Sequence, residues 1–497
     1  MINQKLIFAR AYEQALGPSI PRESRPVFHL TPWIGWMNDP NGFSYYHGQY
    51  HLFYQYNPYD TEWESMHWGH AVSHDLLHWS YLPCAMAPDE SYDSFGVFSG
   101  SAMEMKDGRQ LLMYTGVRKE GNEKNSKDIQ VQCLAIGDGL DYQKLEINPV
   151  LDASCLPEGK SVHDFRDPKI WREDDGTYRC VIATCDKDRM GCLLLFSSED
   201  GLSWKSEGIL AENDGRLGRM WECPDLFHLD GKTVLFVSPQ DMMPDGFEYH
   251  NGNGTVCLIG HMDVEGKRFI PERDQAIDYG IDFYAPQTIL TPDGRRVMIG
   301  WMQNWDTCKL TGYEERKWFG QMSLPRELSI RDGRLYQQPI RELALYRSRM
   351  VEYKDVRFTG EKTLEGIEGR ILEMDMRIRA ADPEKPYHKF TFRFAQNDKY
   401  YSVLSYRPYE SLLKIDRKFS GSRRAYIHQR RCQVPDRKGE IHLHVILDRF
   451  SIEVFINDGE QVMTATILTD ADARGISFAA DGDVIMDITK YTLFAED

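Results

Sequence analysis

The chain has 497 residues, with 59 Lys and Arg against 76 Asp and Glu and a net charge of −17. That acidity argues against nucleic acid or an anionic membrane as the main partner, and the length exceeds what one core supports, so two or more domains are expected. Aromatic residues make up 12%, which suits β-rich cores and flat platforms for sugar rings.

In chain order, residues 1–25 read as a helical extension, with Phe8, Ala11, Tyr12, Ala15 and Leu16 at helical spacing. Glu13 and other polar residues interrupt it, so it lacks the apolar core of a secretory signal. No run is long enough to span a membrane, and a cytoplasmic location is expected. Ten cysteines lie between Cys84 and Cys432 without a framework spacing, and read as free thiols.

Next comes Trp36-Met37-Asn38-Asp39-Pro40-Asn41-Gly42-Phe43. It opens a unit that recurs. A turn dipeptide ending in Gly48, Gly108, Gly176, Gly231 and Gly294 precedes a strand-like run each time, at separations of 60, 68, 55 and 63 residues. Each is a hairpin mark: glycine at positive φ, then β-branched and aromatic residues. Downstream pieces also recur, as in Ser73–Trp79 and Ser198–Trp204. Five such units predict a five-bladed β-propeller over residues 26–338. A β-sandwich with regular hairpins is the alternative reading.

Nine residues before each repeat glycine stand Asp39, Ser99, Asp167, Glu222 and Ala285. The strand before the first hairpin turn of a blade is its innermost, so these positions are expected to converge on the axis. The register predicts one pocket lined by Asp39, Ser99, Asp167 and Glu222. Crowded carboxyl groups cannot all ionise easily, so one stays protonated while another stays anionic. Cleavage of a glycosidic bond needs that division of labour. A calcium or magnesium site is the rival, although calcium loops alternate Asp and Asn within one loop, which none of these motifs does. His67, His70, His74 and His78 raise zinc, but Trp68–Ser73, which holds His70, reads as a strand, and His74–Trp79 belongs to the repeat.

Residues 339–350 read as an amphipathic linker helix, apolar at Ile340, Leu343 and Ala344. From Val351 to 497, alternating strands form a C-terminal β-sandwich: 371–378, 389–394, 400–406, 441–447, 450–456 and 462–467, with a hairpin turn at Asn457-Asp458-Gly459.

Trp36–Gly42, Phe98-Ser99-Gly100-Ser101, Arg166-Asp167-Pro168 and Glu222-Cys223-Pro224-Asp225 resemble, in order, the signature motifs of glycoside hydrolase family 32, the β-fructofuranosidases. The resemblance runs from about Pro26 to the C-terminus. It implies an all-β chain, a five-bladed propeller followed by a sandwich, that needs no cofactor or metal. It implies a retaining hydrolase of sucrose, sucrose 6-phosphate or short fructooligosaccharides. Asp39 resembles the nucleophile, Glu222 the general acid/base, and Asp167 the transition-state stabiliser, acting on fructose hydroxyls with Arg166. Retention implies Asp39 and Glu222 carboxyl groups roughly 5–5.5 Å apart. Asn38, Gln55, Trp63, Phe98 and Ser99 resemble residues around the fructose, and Asp282 and Trp301 resemble rim residues. Strand packing is the competing reading for Gln55 and Trp301, and a turn role for Asp282. Cys223 reads as tuning the acid. The run Gln303-Asn304-Trp305-Asp306 departs from the sucrase pattern near the leaving-group subsite. A fructosyltransferase on the same scaffold and a non-catalytic fructan-binding protein are the alternatives; retention of all three acids counts against the second. The partner is a small carbohydrate, and a homo-oligomer is compatible with the chain.

Overall fold

A computed structural model describes residues 4–121, 126–308, 316–421, 427–435 and 437–494. The five hairpin signals become five sheets around one axis. Their inner strands are Gly35–Tyr46, Gly96–Glu104, Arg166–Arg172, Trp221–Leu229 and Tyr284–Leu290, in blades 1 to 5. Every repeat glycine has positive φ, between 78° and 88°, the conformation that a two-residue hairpin turn demands and a Cβ disfavours. Within each sheet the strands run outward from the axis as an antiparallel meander. Trp318–Phe319 then pairs in parallel with Gly35 and Trp36 of blade 1, joining the end of the propeller segment to its start.

The C-terminal segment is one continuous hydrogen-bonded ladder of ten strands. Its last strand, Gly475–Leu493, pairs with Lys389–Gln396 through its first part and with Leu372–Ala380 through its second. The ladder thus doubles over. Phe390, Phe392 and Phe394 of one half and Met374, Met376 and Val445 of the other share one buried cluster, the interior of a sandwich. The sequence reading did not contain the long strands Arg347–Lys362 and Gly475–Leu493. The former alternates half-exposed and exposed residues, so no buried period marks it. The linker reads differently as well. Arg341–Tyr346 is a 3₁₀ helix with Leu343 buried and Ala344 exposed, and the strand from Arg347 starts inside the span read as linker.

The N-terminal helix spans Gln4–Leu16, but it buries Leu6, Ala9 and Glu13, whereas Phe8 is 60% exposed. Glu13 Oε1 accepts the Cys84 N–H at 2.7 Å, and a satisfied backbone donor is what makes an acid at this buried position tolerable. After the helix, His29 lies between Asp448 Oδ2 and Glu453 Oε1, each at 2.9 Å. Burial opposes charge on His29, but the two carboxylates outweigh it and raise its pKa to about 9. Glu453 also holds Arg326, which reaches Asp278 at 3.0 Å. This buried ionic network fixes the propeller against the sandwich. Among the described residues no helix is long and apolar enough to cross a membrane, and all ten cysteines are free.

Candidate active site

The site forms where the inner strands break their regular pairing. In blades 3, 4 and 5 the same β-bulge appears: Asp167-Pro168, Cys223-Pro224 and Ala285-Pro286 each stand opposite a single partner residue. The first residue of each pair has positive φ, at 64°, 48° and 50°. Proline has no N–H to lose from the ladder, so the sequence marks where the ladder opens. A bulge re-aims side chains, and here it turns them toward the axis.

This bulge corrects the sequence register in blade 4. Counting back nine residues from the turn glycine equates Glu222 with Asp167. The bulges instead equate Cys223 with Asp167 and Ala285, and Glu222 with Arg166 and Tyr284. The reason is length: nine residues separate Asp167 from Gly176 and Ala285 from Gly294, but only eight separate Cys223 from Gly231. The three residues at the shared level bond to one another. Glu222 Oε1 accepts from Arg166 Nε at 3.1 Å and Nη2 at 2.9 Å, and Glu222 Oε2 lies 2.7 Å from the Tyr284 hydroxyl.

That hydroxyl also lies 3.0 Å from the Ser238 carbonyl. A phenol has one proton to donate. Toward an ionised Glu222 the phenol donates to the carboxylate. Toward a protonated Glu222 it accepts, and donates its own hydrogen bond to the Ser238 carbonyl. The environment can therefore bond either protonation state. Arg166 also reaches Asp164 at 2.8 Å, and its Nε is 4.0 Å from Asp167. Its main grip is thus on Glu222 rather than on Asp167.

Asp39 sits in blade 1, where Asn38 and Asp39 oppose Gln55 in another bulge. Its Oδ2 accepts from the Ser99 hydroxyl at 3.3 Å, and its buried Oδ1 has no hydrogen-bond partner among the described residues. Burial, then the charges of Glu222 and Asp167, push the Asp39 carboxyl up to about 7. Asp167 Oδ2 accepts the Cys223 N–H at 2.9 Å. Burial raises Asp167, the Arg166 charge opposes, and Glu222 adds to the rise, leaving it at about 6. The Cys223 thiol lies 3.7 Å from Asp39 Oδ2 and 3.6 Å from Asp167 Oδ2. Burial and those two acids hold it well above the ordinary thiol range, so it is a neutral S–H donor. It therefore bridges Asp39 and Asp167, whereas the sequence reading had it tuning Glu222.

Asp39, Asp167 and Glu222 line a cavity of about 490 Å³ together with Asn38, Gln55, Trp63, Phe98, Ser99 and Arg166. Trp36 Nε1 donates to Asn38 Oδ1 at 2.7 Å, and Gln55 Nε2 to the Val97 carbonyl at 3.0 Å, which orients both amides. Trp63, 37% exposed, meets Phe98 edge-on at 5.6 Å and forms an apolar wall at the mouth.

Two expected rim residues lie elsewhere. Asp282 is fully buried against the sandwich, 2.6 Å from Arg417 Nη1 and 2.7 Å from the Thr466 N–H. The Arg417 cation of the C-terminal segment, invisible to local sequence, claims this carboxylate. Trp301 is also fully buried, packed on Trp36 at 5.9 Å and Trp305 at 5.1 Å, behind the wall rather than in it. Trp305, from the divergent run, takes a place on the cavity surface. Asp128, Gln130, His163, Asp164, Arg189, Gln240 and Asn253 also line it without having been read from sequence. Asp128 and Gln130 lie on the strand Asp128–Gly137 of blade 2 and the others in connecting segments, and they carry no shared motif. Tyr284 had a signal: it precedes Ala285-Pro286 as Arg166 precedes Asp167-Pro168. Among the described residues no group of His, Cys, Asp and Glu is placed to hold a metal ion. His70 instead meets His51 at 3.0 Å, and His78 pairs with Asp75 at 2.7 Å.

Comparison with known proteins supplies the context for this geometry. Residues 29–339 match the model described as "Glycosyl hydrolases family 32 N-terminal domain", and residues 342–493 match "Glycosyl hydrolases family 32 C terminal". The chain is 35% identical to a raffinose invertase of Escherichia coli over 502 residues, covering 98% of each chain. It is 36% identical to a sucrose-6-phosphate hydrolase of Zymomonas mobilis over 488 residues, covering 94% of this chain and 91% of the relative. Among solved structures, a Bombyx mori β-fructofuranosidase mutant in complex with sucrose superposes with a TM-score of 0.83 at 32% identity, covering 99% of both chains. A sucrose-6-phosphate hydrolase from Lactobacillus gasseri superposes with a TM-score of 0.82 at 28% identity, covering 99% of this chain and 96% of that one.

Proposed function

The chain belongs to glycoside hydrolase family 32, and on that premise we propose that it hydrolyses the β-fructofuranosyl bond of sucrose or sucrose 6-phosphate with retention of configuration. Asp39 attacks the anomeric carbon of the fructosyl unit and forms a covalent fructosyl-enzyme. Glu222 protonates the departing oxygen and then takes a proton from the incoming water. Asp167 holds fructose hydroxyls and offsets the cationic charge of the transition state. Asn38, Gln55, Trp63, Phe98 and Ser99 enclose the fructose.

One observation supports this reading above the others. A buried Asp39 oxygen without a hydrogen-bond partner shares a cavity with Glu222, whose two oxygens are held by Arg166 and Tyr284. A free carboxylate oxygen suits a nucleophile, and a held carboxyl that can be bonded in either protonation state suits an acid/base. For the aglycone, Arg189 is half-exposed at the cavity rim and offers a cation within reach of a phosphate. A phosphorylated disaccharide does not cross a bilayer unaided, so that substrate goes with a cytoplasmic location.

The test is kcat/KM measured in parallel on sucrose, sucrose 6-phosphate, 1-kestose and inulin. The expected result is fructose release from the two disaccharides well ahead of inulin. Absence of fructose release from all four would overturn the reading, and transfer to sugar in place of water would make the protein a fructosyltransferase.

A further inference from the structure

The inner strands run on past the catalytic end, and their opposite ends line a second cavity of about 760 Å³. Lys169 lies two residues beyond Asp167, and Asp225 three beyond Glu222, so at roughly 3.3 Å per residue the two cavities lie at opposite mouths of one axis. Hydrogen bonds across the axis close the space between them. Gln287 Nε2 donates to the Gly100 carbonyl at 2.8 Å, and the Ser101 hydroxyl to the Pro168 carbonyl at 2.7 Å.

The charges at this second mouth do not balance. Lys169, 8% exposed, lies 3.0 Å from Asp225 Oδ2 and donates to the Thr288 carbonyl at 2.8 Å. The same Oδ2 accepts the Thr288 N–H at 2.6 Å, while the buried Oδ1 of Asp225 has no partner among the described residues. Arg296 reaches the cavity from the second strand of blade 5, its guanidinium over the Phe227 ring at 4.8 Å. Its Nη1 donates to the Thr288 hydroxyl at 3.4 Å, and among the described residues its buried Nε has no partner. Among the described residues no carboxylate lies within 4.0 Å of it. A buried Lys169 and a half-buried Arg296 thus face Asp225, whose engaged oxygen is already shared by Lys169 and Thr288. Burial pulls Arg296 down from its usual range, and Asp225 only partly opposes this. A cation drawn partly out of water with no carboxylate in contact is costly. The rim carboxylates Glu104 and Asp174 are exposed, where solvent screens them, and the half-buried Glu173 accepts the Trp171 indole N–H at 2.8 Å.

We propose that this second mouth is an anion-binding site for a phosphate group, free or as a sugar monophosphate, with Arg296 as its principal ligand and Lys169 as the second cation. A guanidinium edge with an unused Nε suits the spaced oxygens of a phosphate. The cavity is also large enough to hold a sugar attached to it.

Calorimetric titration of the whole protein, at fixed ionic strength in a chloride-free buffer, tests this with inorganic phosphate and with glucose 6-phosphate. Binding of one equivalent is expected, weakened about tenfold or more by Arg296→Gln, which removes a charge-assisted bond. Asp225→Asn is expected to tighten binding, because it removes the competing negative charge. Arg296→Lys, which keeps the charge, is expected to bind between wild type and Arg296→Gln, and guards against a fold defect in the latter. Tighter binding of glucose 6-phosphate identifies a sugar phosphate as the occupant, and binding of inorganic phosphate alone identifies the free ion. No saturable heat with either ligand, or heat unchanged in Arg296→Gln, would overturn the proposal. Glucose 6-phosphate is also a product of the proposed hydrolysis, so the Arg296→Gln comparison, at the mouth opposite Asp39 and Glu222, is what separates this site from the active site.

Discussion

Replacing Tyr284 with Phe deletes one oxygen, fully buried and 2.7 Å from Glu222 Oε2. The ring remains to fill its space, so the change isolates a single hydrogen bond. Hydrogen bonds to charged groups contribute about 1.5–3 kcal/mol, equivalent to about 10–150-fold in rate at about 1.4 kcal/mol per decade. Arg166 still holds the other oxygen of Glu222 through two donors, which retains part of the orientation. We therefore expect the lower end, about a tenfold loss of kcat on sucrose. The assay pairs sucrose with β-fructofuranosyl fluoride in single-turnover experiments, since fluoride departs with little need for protonation. If Tyr284 acts through the acid role of Glu222, the first-step loss on the fluoride shrinks to within about threefold. A kcat on sucrose within twofold of wild type, or equal losses on both substrates, would refute the reasoning.

Asp39 is competent as a nucleophile only when anionic, and its carboxyl sits at about 7; the acid limb of kcat/KM should therefore fall between pH 6 and 7 rather than near 4. The same shift bears on stability. The folded state holds protons on Asp39 and Asp167 that the unfolded chain releases near pH 4, so their contribution is fully present below about pH 4 and lost as pH rises through 7. Asp39→Asn should thus be inactive yet melt higher than wild type at pH 8, with the gap closing toward pH 4; an equal or lower Tm at pH 8 contradicts this. Asp282→Ala strands the buried Arg417 cation, a type of loss that costs about 3–5 kcal/mol. It should appear as a lowered denaturation midpoint, whereas a normal midpoint with a raised KM would restore Asp282 to the substrate rim.

How much of this was legible beforehand depends on the range of the interactions involved. The hairpin glycines were legible because a turn at positive φ is a local demand, and so the five blades could be counted without coordinates. The X-Pro steps at Asp167-Pro168, Cys223-Pro224 and Ala285-Pro286 are likewise local, since a missing N–H opens the ladder wherever it falls. Motif order was sufficient to pick out Asp39, Asp167 and Glu222 as a set. What counting residues could not supply was their relative height around the axis. One residue fewer in blade 4 sets Glu222 level with Arg166 and Tyr284, and leaves Cys223 between Asp39 and Asp167. Asp282 and Trp301 show the same limit from the other side: both resemble rim residues locally, but one is claimed by Arg417, 135 positions away, and the other by tilted contacts with Trp36 and Trp305. Local conformation follows from the residue and its neighbours. The partner of a buried charge or ring is set by chain segments that meet only when the blades close and the sandwich docks.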